Sequence, residues 1–108
     1  IGKGTVIMPG SVINTATIIG KGCIINTKAS IDHDCEIGDG VHISPGVTIG
    51  GSVKVGNKTW ICIGATIINN IIIGKNSIIA AGATVISDVP SNVMVAGIPA
   101  KVKKVFEI

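Results

Sequence analysis

The sequence predicts an all-β chain: a parallel β-helix of about five triangular coils over residues 1–90, closed by a short cap over residues 91–108 of the same domain. Three observations carry this. Every sixth residue from Ile1 to Val85 is isoleucine, except Val55 and Val85 themselves. Four residues after each comes a second register of small or β-branched side chains, including Thr5, Ser11, Thr17, Cys23, Ala29, Cys35, Val41, Val47, Val53, Thr59 and Ala65. Glycine often follows the isoleucine directly, as at Gly2, Gly20, Gly38, Gly50 and Gly74.

Period six fits neither a 3.6-residue helix nor an alternating hairpin sheet. It fits hexapeptides that each supply a short strand and a turn, the signature of a parallel β-helix. Isoleucine then stacks on isoleucine from coil to coil, and the small residue fills the corner beside it. Glycine and asparagine at the turns tolerate positive φ, where β-branched residues would be strained. Three hexapeptides closing one triangle make an eighteen-residue coil, so residues 1–90 hold five coils. At about 4.8 Å between strands, the prism should be on the order of 24 Å tall. The stretch "IINNIIIGKNSIIAAGA" is apolar enough for a buried helix, but the six-residue register runs straight through it. After Val85 the register stops, with Ser91 where an aliphatic residue was due. Pro90 and Pro99 break the repeat, and "KVKKVFEI" reads as a strand or short helix capping the stack. An open β-helix end exposes unpaired backbone and needs such a cover.

Composition narrows the function. The chain is 46% hydrophobic with a mean hydropathy of +0.66. Even so, no apolar run approaches the roughly 18 residues of a spanning helix, so no membrane role is expected. No basic-then-apolar signal segment is visible. Nine lysines and no arginine give a net charge of +3, too dispersed to argue for nucleic acid. Trp60 and Phe106, the only aromatics, form no platform for stacking bases. Three cysteines without paired spacing fit a reducing cytoplasm rather than a disulfide framework.

Against this background "KASIDHDCEIGDGVHISPG", residues 28–46, stands apart: it holds three aspartates, Glu36, Cys35 and both histidines. His33 is the third residue of its hexapeptide, near a turn, and should not point into the core. The eighteen-residue coil stacks Thr15, His33, Gly51 and Asn69 in one column. Gly51 then leaves a backbone N–H accessible beside the imidazole. A neutral imidazole, with a pKa of about 6.5, suits a general base at neutral pH. An adjacent N–H suits an oxyanion developing at an attacked carbonyl. The competing reading is an exposed turn histidine. Cys23 and Cys35 lie in the interior register, where cysteine behaves as a small hydrophobe. Cys35 should therefore point away from His33, which argues against an acyl-cysteine intermediate. Asp32, Glu36 and Asp39 read as solvated turn residues, and Trp60 as interface or edge packing.

The pattern [Ile/Val]-Gly-x-x-[small]-x resembles the left-handed parallel β-helix acyltransferases. "IDHDCEIGDGVHISPG", "GGSVKVG" and "VAGIPAK" are similar to the sugar acetyltransferases that modify sialic acids or nucleotide-linked amino sugars, including the bacillosamine-pathway N-acetyltransferases. The resemblance covers essentially the whole chain. It implies a left-handed coil, against the usual right-handed crossover rule. It also implies direct transfer of an acetyl group from acetyl-CoA to a sugar hydroxyl or amine, with no metal, in a cytoplasmic homotrimer whose active sites lie between subunits. By the same resemblance His33 is the general base, Asp34 orients it, and Asn26 lies near the acceptor. His42 contacts the thioester region, Gly51 supplies a backbone donor to it, and Ile63 and Ala81 line the pantetheine and adenine ends. Lys101, in "GIPAK", is positioned for phosphate. Such enzymes usually carry an N-terminal nucleotide-binding domain with no counterpart in these residues, which implies that it was removed or that the acceptor is different or smaller.

Other functions on the same fold fit less well. A γ-type carbonic anhydrase takes three zinc-binding histidines from two subunits, and this chain has two. An ice-binding prism needs a flat ladder of threonines, and the threonines read as scattered. A catalytically silent β-helix fragment is the remaining alternative.

Overall fold

The computed structural model describes residues 1–107 and is all-β; Ile108, the last residue of the expected cap, lies outside them. Two-residue strands recur every six residues from Val6–Ile7 to Thr84–Val85 and fall on three faces. Face A carries Val6–Ile7, Ile24–Ile25, His42–Ile43, Trp60–Ile61 and Ile78–Ile79. Face B carries Val12–Ile13, Ser30–Ile31, Thr48–Ile49, Thr66–Ile67 and Thr84–Val85. Face C carries Ile18–Ile19, Glu36–Ile37, Lys54–Val55 and Ile72–Ile73.

Neighbouring strands are parallel, with partners one coil apart: Ile25, Ile43, Ile61 and Ile79 align on face A, and Ile31, Ile49 and Ile67 on face B. These isoleucines are fully buried and, with the small second register, form one apolar core. Removing each from water contributes about 1.5–3 kcal/mol. The other residue of each strand points outward, as alternation requires. His42 and Trp60 therefore stand on the surface of face A.

Two expectations need correction. Positive φ belongs to the fourth residue of each hexapeptide from Gly4 to Gly82, including Asp34 at 57° and Asn70 at 62°. The glycine after the isoleucine serves space instead. A Cβ on Gly50 would lie 2.7 Å from the Asn69 amide nitrogen of the next coil. The threonines are not all scattered either. Ser30, Thr48, Thr66 and Thr84 pair in register as an outward ladder on face B.

Beyond Val85 the stacking continues by a shorter step. Val89 bridges Ile73 on face C, and Val93–Ala96 adds a parallel strand over Ile78–Ile79. The expected cap is a strand, Lys101–Val105, antiparallel to Val93–Ala96. Its edge carries Lys101, Lys103 and Lys104 on exposed positions, which discourages pairing with another strand.

Candidate active site

The turn between faces B and C holds His33 where the column places it. Asp34 N–H donates to the Thr15 carbonyl at 3.1 Å, Ser52 N–H to His33 at 2.9 Å, and Asn70 N–H to Gly51 at 2.9 Å. Thr15, His33 and Gly51 are thus stacked by the backbone itself. The His33 side chain is about half exposed and its Nδ1 meets Asp34 Oδ2 at 2.9 Å. That hydrogen bond, aided by the nearby Asp32 and Asp34 charges, holds the imidazole pKa above its ordinary 6.5 despite some desolvation. With Nδ1 committed to Asp34, Nε2 is the free nitrogen. It faces Gly51: a Cβ there would lie 2.6 Å from it. Gly51 is buried, less open than the column suggests, and among the described residues its N–H has no acceptor.

Asp32 is more than a solvated turn residue. Its Oδ1 accepts from Asn14 Nδ2 at 3.0 Å and from the His33 N–H at 2.8 Å. The Asn14 bond, and then the His33 amide, hold its carboxyl below the usual range. Asp32 thereby fixes the backbone entering the His33 turn. Cys35 points inward, fully buried, with its thiol toward the Gly50 carbonyl at 3.2 Å. Burial pushes that thiol's pKa up, opposite to what a nucleophile needs.

His42 lies elsewhere. The B–C corner is opposite face A in the triangular section, so one chain does not bring His33 and His42 together. Instead His42 joins Asn26, Ile63 and Ala81 in a groove of about 380 Å³ along face A and the A–B corner, completed by Ser44, Pro45, Trp60 and Cys62. Trp60 is a wall of this groove and stacks on His42, with ring centroids 5.8 Å apart and planes within 2°. The sequence contained the signal, since residues 42 and 60 are one coil apart. Lys101 pairs with Ala96 at the C-terminal end of the same face. A larger hollow of about 510 Å³ on face C, among Ile18, Glu36, Lys54 and Ile72, contains neither histidine. Among the described residues no three His, Cys, Asp or Glu side chains cluster as metal ligands would.

Comparison with known proteins identifies the family. No curated protein sequence matches the chain. Its fold matches a perosamine N-acetyltransferase from Caulobacter crescentus, solved as a histidine-to-asparagine variant with CoA and GDP-perosamine, at 39% identity and a TM-score of 0.94 over 94% of this chain and 49% of that one. The acetyltransferase domain of PglB from Neisseria gonorrhoeae, in complex with acetyl coenzyme A, is 36% identical with a TM-score of 0.92, covering 94% and 50%. WeeI from Acinetobacter baumannii is 34% identical with a TM-score of 0.91, covering 94% and 50%. The chain spans about half the length of these solved relatives. The family model "Bacterial transferase hexapeptide (six repeats)" matches residues 16–51 and 52–87, repeats characteristic of a left-handed parallel β-helix. With two thirds of its residues inside those repeats, the chain belongs to the bacterial transferase hexapeptide family.

Proposed function

We propose that the protein transfers an acetyl group from acetyl-CoA to a sugar, with the amino group of a nucleotide-linked amino sugar as first choice of acceptor and a sugar hydroxyl, as in sialic acid, as second. One observation carries the reading: the free Nε2 of His33 stands against the bare Cα of Gly51, whose N–H is unclaimed among the described residues. His33 Nε2 takes the acceptor's proton as its nitrogen or oxygen bonds to the thioester carbonyl carbon. The Gly51 N–H meets the charge gathering on the carbonyl oxygen, a role worth on the order of 10²–10³ in rate. As the carbon–sulfur bond breaks, His33 returns the proton to the departing thiolate. Asp34 keeps the ring aimed and stabilises its protonated form. The relatives solved with CoA, acetyl-CoA and GDP-perosamine support the co-substrate and the acceptor class.

The groove suits a slender apolar arm. Pro45, Trp60, Cys62, Ile63 and Ala81 give it apolar walls, and Asn26, His42 and Ser44 are its polar groups. Lys101 continues the line toward the coenzyme phosphates. The groove and His33 are two half-sites, so a working site takes one from each of two chains. Face B supports a homotrimer. It is bounded by the A–B corner with the groove and by the B–C corner with His33. Turning three B faces, with their small Ser30, Thr48, Thr66 and Thr84 side chains, to a common axis sets each groove beside a neighbour's His33. The cytoplasm is the fitting compartment, given three free cysteines.

The test is thiol release from acetyl-CoA with a panel of nucleotide amino sugars, free amino sugars and sialic acids. One amino-sugar acceptor should turn over, and His33→Ala should lower that turnover by about 10²–10⁴ with the oligomer unchanged. Near-normal transfer by this variant would remove His33 from the mechanism.

A further inference from the structure

Asn26, Thr27, His42, Ser44 and Trp60 form one connected device around the imidazole of His42. Asn26 Oδ1 accepts from the Thr27 N–H at 2.8 Å, which fixes the orientation of the amide. Its Nδ2 is then the end that meets His42 Nε2, at 3.4 Å. An amide nitrogen can only donate, so His42 Nε2 must be the acceptor and the ring proton must sit on Nδ1. Among the described residues Nδ1 has no hydrogen-bond partner, and the ring lines the groove.

The ring plane is held from the next coil. The Trp60 indole N–H donates to Ser44 Oγ at 3.0 Å, and Ser44 is only 3% exposed, so the indole is anchored to a buried group. The anchored indole lies parallel to the imidazole in the offset arrangement such rings favour.

We propose that Trp60 is a positioning residue which, with the Asn26–Thr27 amide, holds His42 as its Nδ1–H tautomer and presents that N–H as a donor to a carbonyl oxygen in the groove. The carbonyl is that of an acyl thioester; this part rests on the groove being the coenzyme site as proposed above. His42 is accordingly a fixed donor, and the base role belongs to His33 alone. A neutral donor with its proton already in place need not reorient when the acyl group arrives.

The experiment is ¹⁵N NMR of the histidine-labelled full chain near neutral pH, with His42 assigned by comparison with His33→Ala. Expected are a protonated Nδ1 and an unprotonated Nε2 in the free protein. Asn26→Asp, which offers only acceptors to Nε2, should reverse them. Trp60→Ala should average the two nitrogens and lower kcat about ten- to a hundredfold. Trp60→Phe, which keeps the stack, should restore most of both. A protonated Nε2 in the free wild-type protein, or a single Nδ1–H tautomer with full kcat in Trp60→Ala, would overturn the proposal. Acetyl-CoA should move the Nδ1–H resonance downfield and CoA should not; equal movement with both removes the carbonyl as partner. If neither binds while the Nδ1 proton is present, the coenzyme reading and the donor role fall and only the tautomer stands. Binding is read separately from quenching of Trp60, the sole tryptophan.

Discussion

Gly51 lies so close over His33 that a methyl group on its Cα would come within 2.6 Å of Nε2 and 2.7 Å of Cε1. The glycine is required for space, not for conformation, because its φ is outside the left-handed region. Gly51→Ala should therefore fold and assemble normally while pushing the imidazole off its position. Turnover should fall about 10²-fold. Circular dichroism and steady-state kinetics check this, and an active Gly51→Ala would show that Nε2 does not work against this amide.

If His33 is the base proposed above, the Asp34 bond sets the pH at which it can act. It raises the imidazole pKa above 6.5, so kcat/KM should rise with pH through a midpoint above that value, as the neutral ring appears. Asp34→Asn loses the carboxylate but tolerates the positive φ of 57° at this position. The acidic limb should then shift to lower pH and maximal turnover should decline. The pH–rate profile of the pair decides the matter, and a limb that stays in place would assign it to another group.

Stability should concentrate in the isoleucine columns. Ile43 is fully buried between Ile25 and Ile61, so Ile43→Ala leaves a cavity with little room to collapse. Urea melts should show a loss of about 2–5 kcal/mol. A loss below about 1 kcal/mol would mean that the column relaxes around the cavity.

In the proposed function Lys101 serves binding rather than chemistry. Lys101→Ala should raise the KM for acetyl-CoA severalfold at unchanged kcat, and should weaken the dependence of KM on ionic strength. Initial rates over a salt series give both quantities; a fall in kcat alone would place the lysine elsewhere in the cycle.

Much of this was legible in the chain. One residue type recurring every sixth position forces the coil, and the coil period stacks His33 beneath Gly51. The same period joins His42 to Trp60, Asn14 to Asp32, and Thr48 to Thr66 and Thr84. Those columns join outward residues, which a hydrophobic period does not distinguish from plain surface. The Asn26–His42 and Ser44–Trp60 contacts could not be read at all, since both cross between a turn and the next coil's strand and depend on rotamers.

By itself, then, the sequence determined the coil period, the inward registers and the column beneath Gly51, because a strict hexapeptide stacks its isoleucines one coil above the next. Only the tertiary structure decided that the two histidines stand on opposite sides of the prism and that an indole and an amide contact His42. Nine residues are half of an eighteen-residue coil, so neighbours in sequence end on opposite sides of the prism, and side-chain torsions then choose their partners.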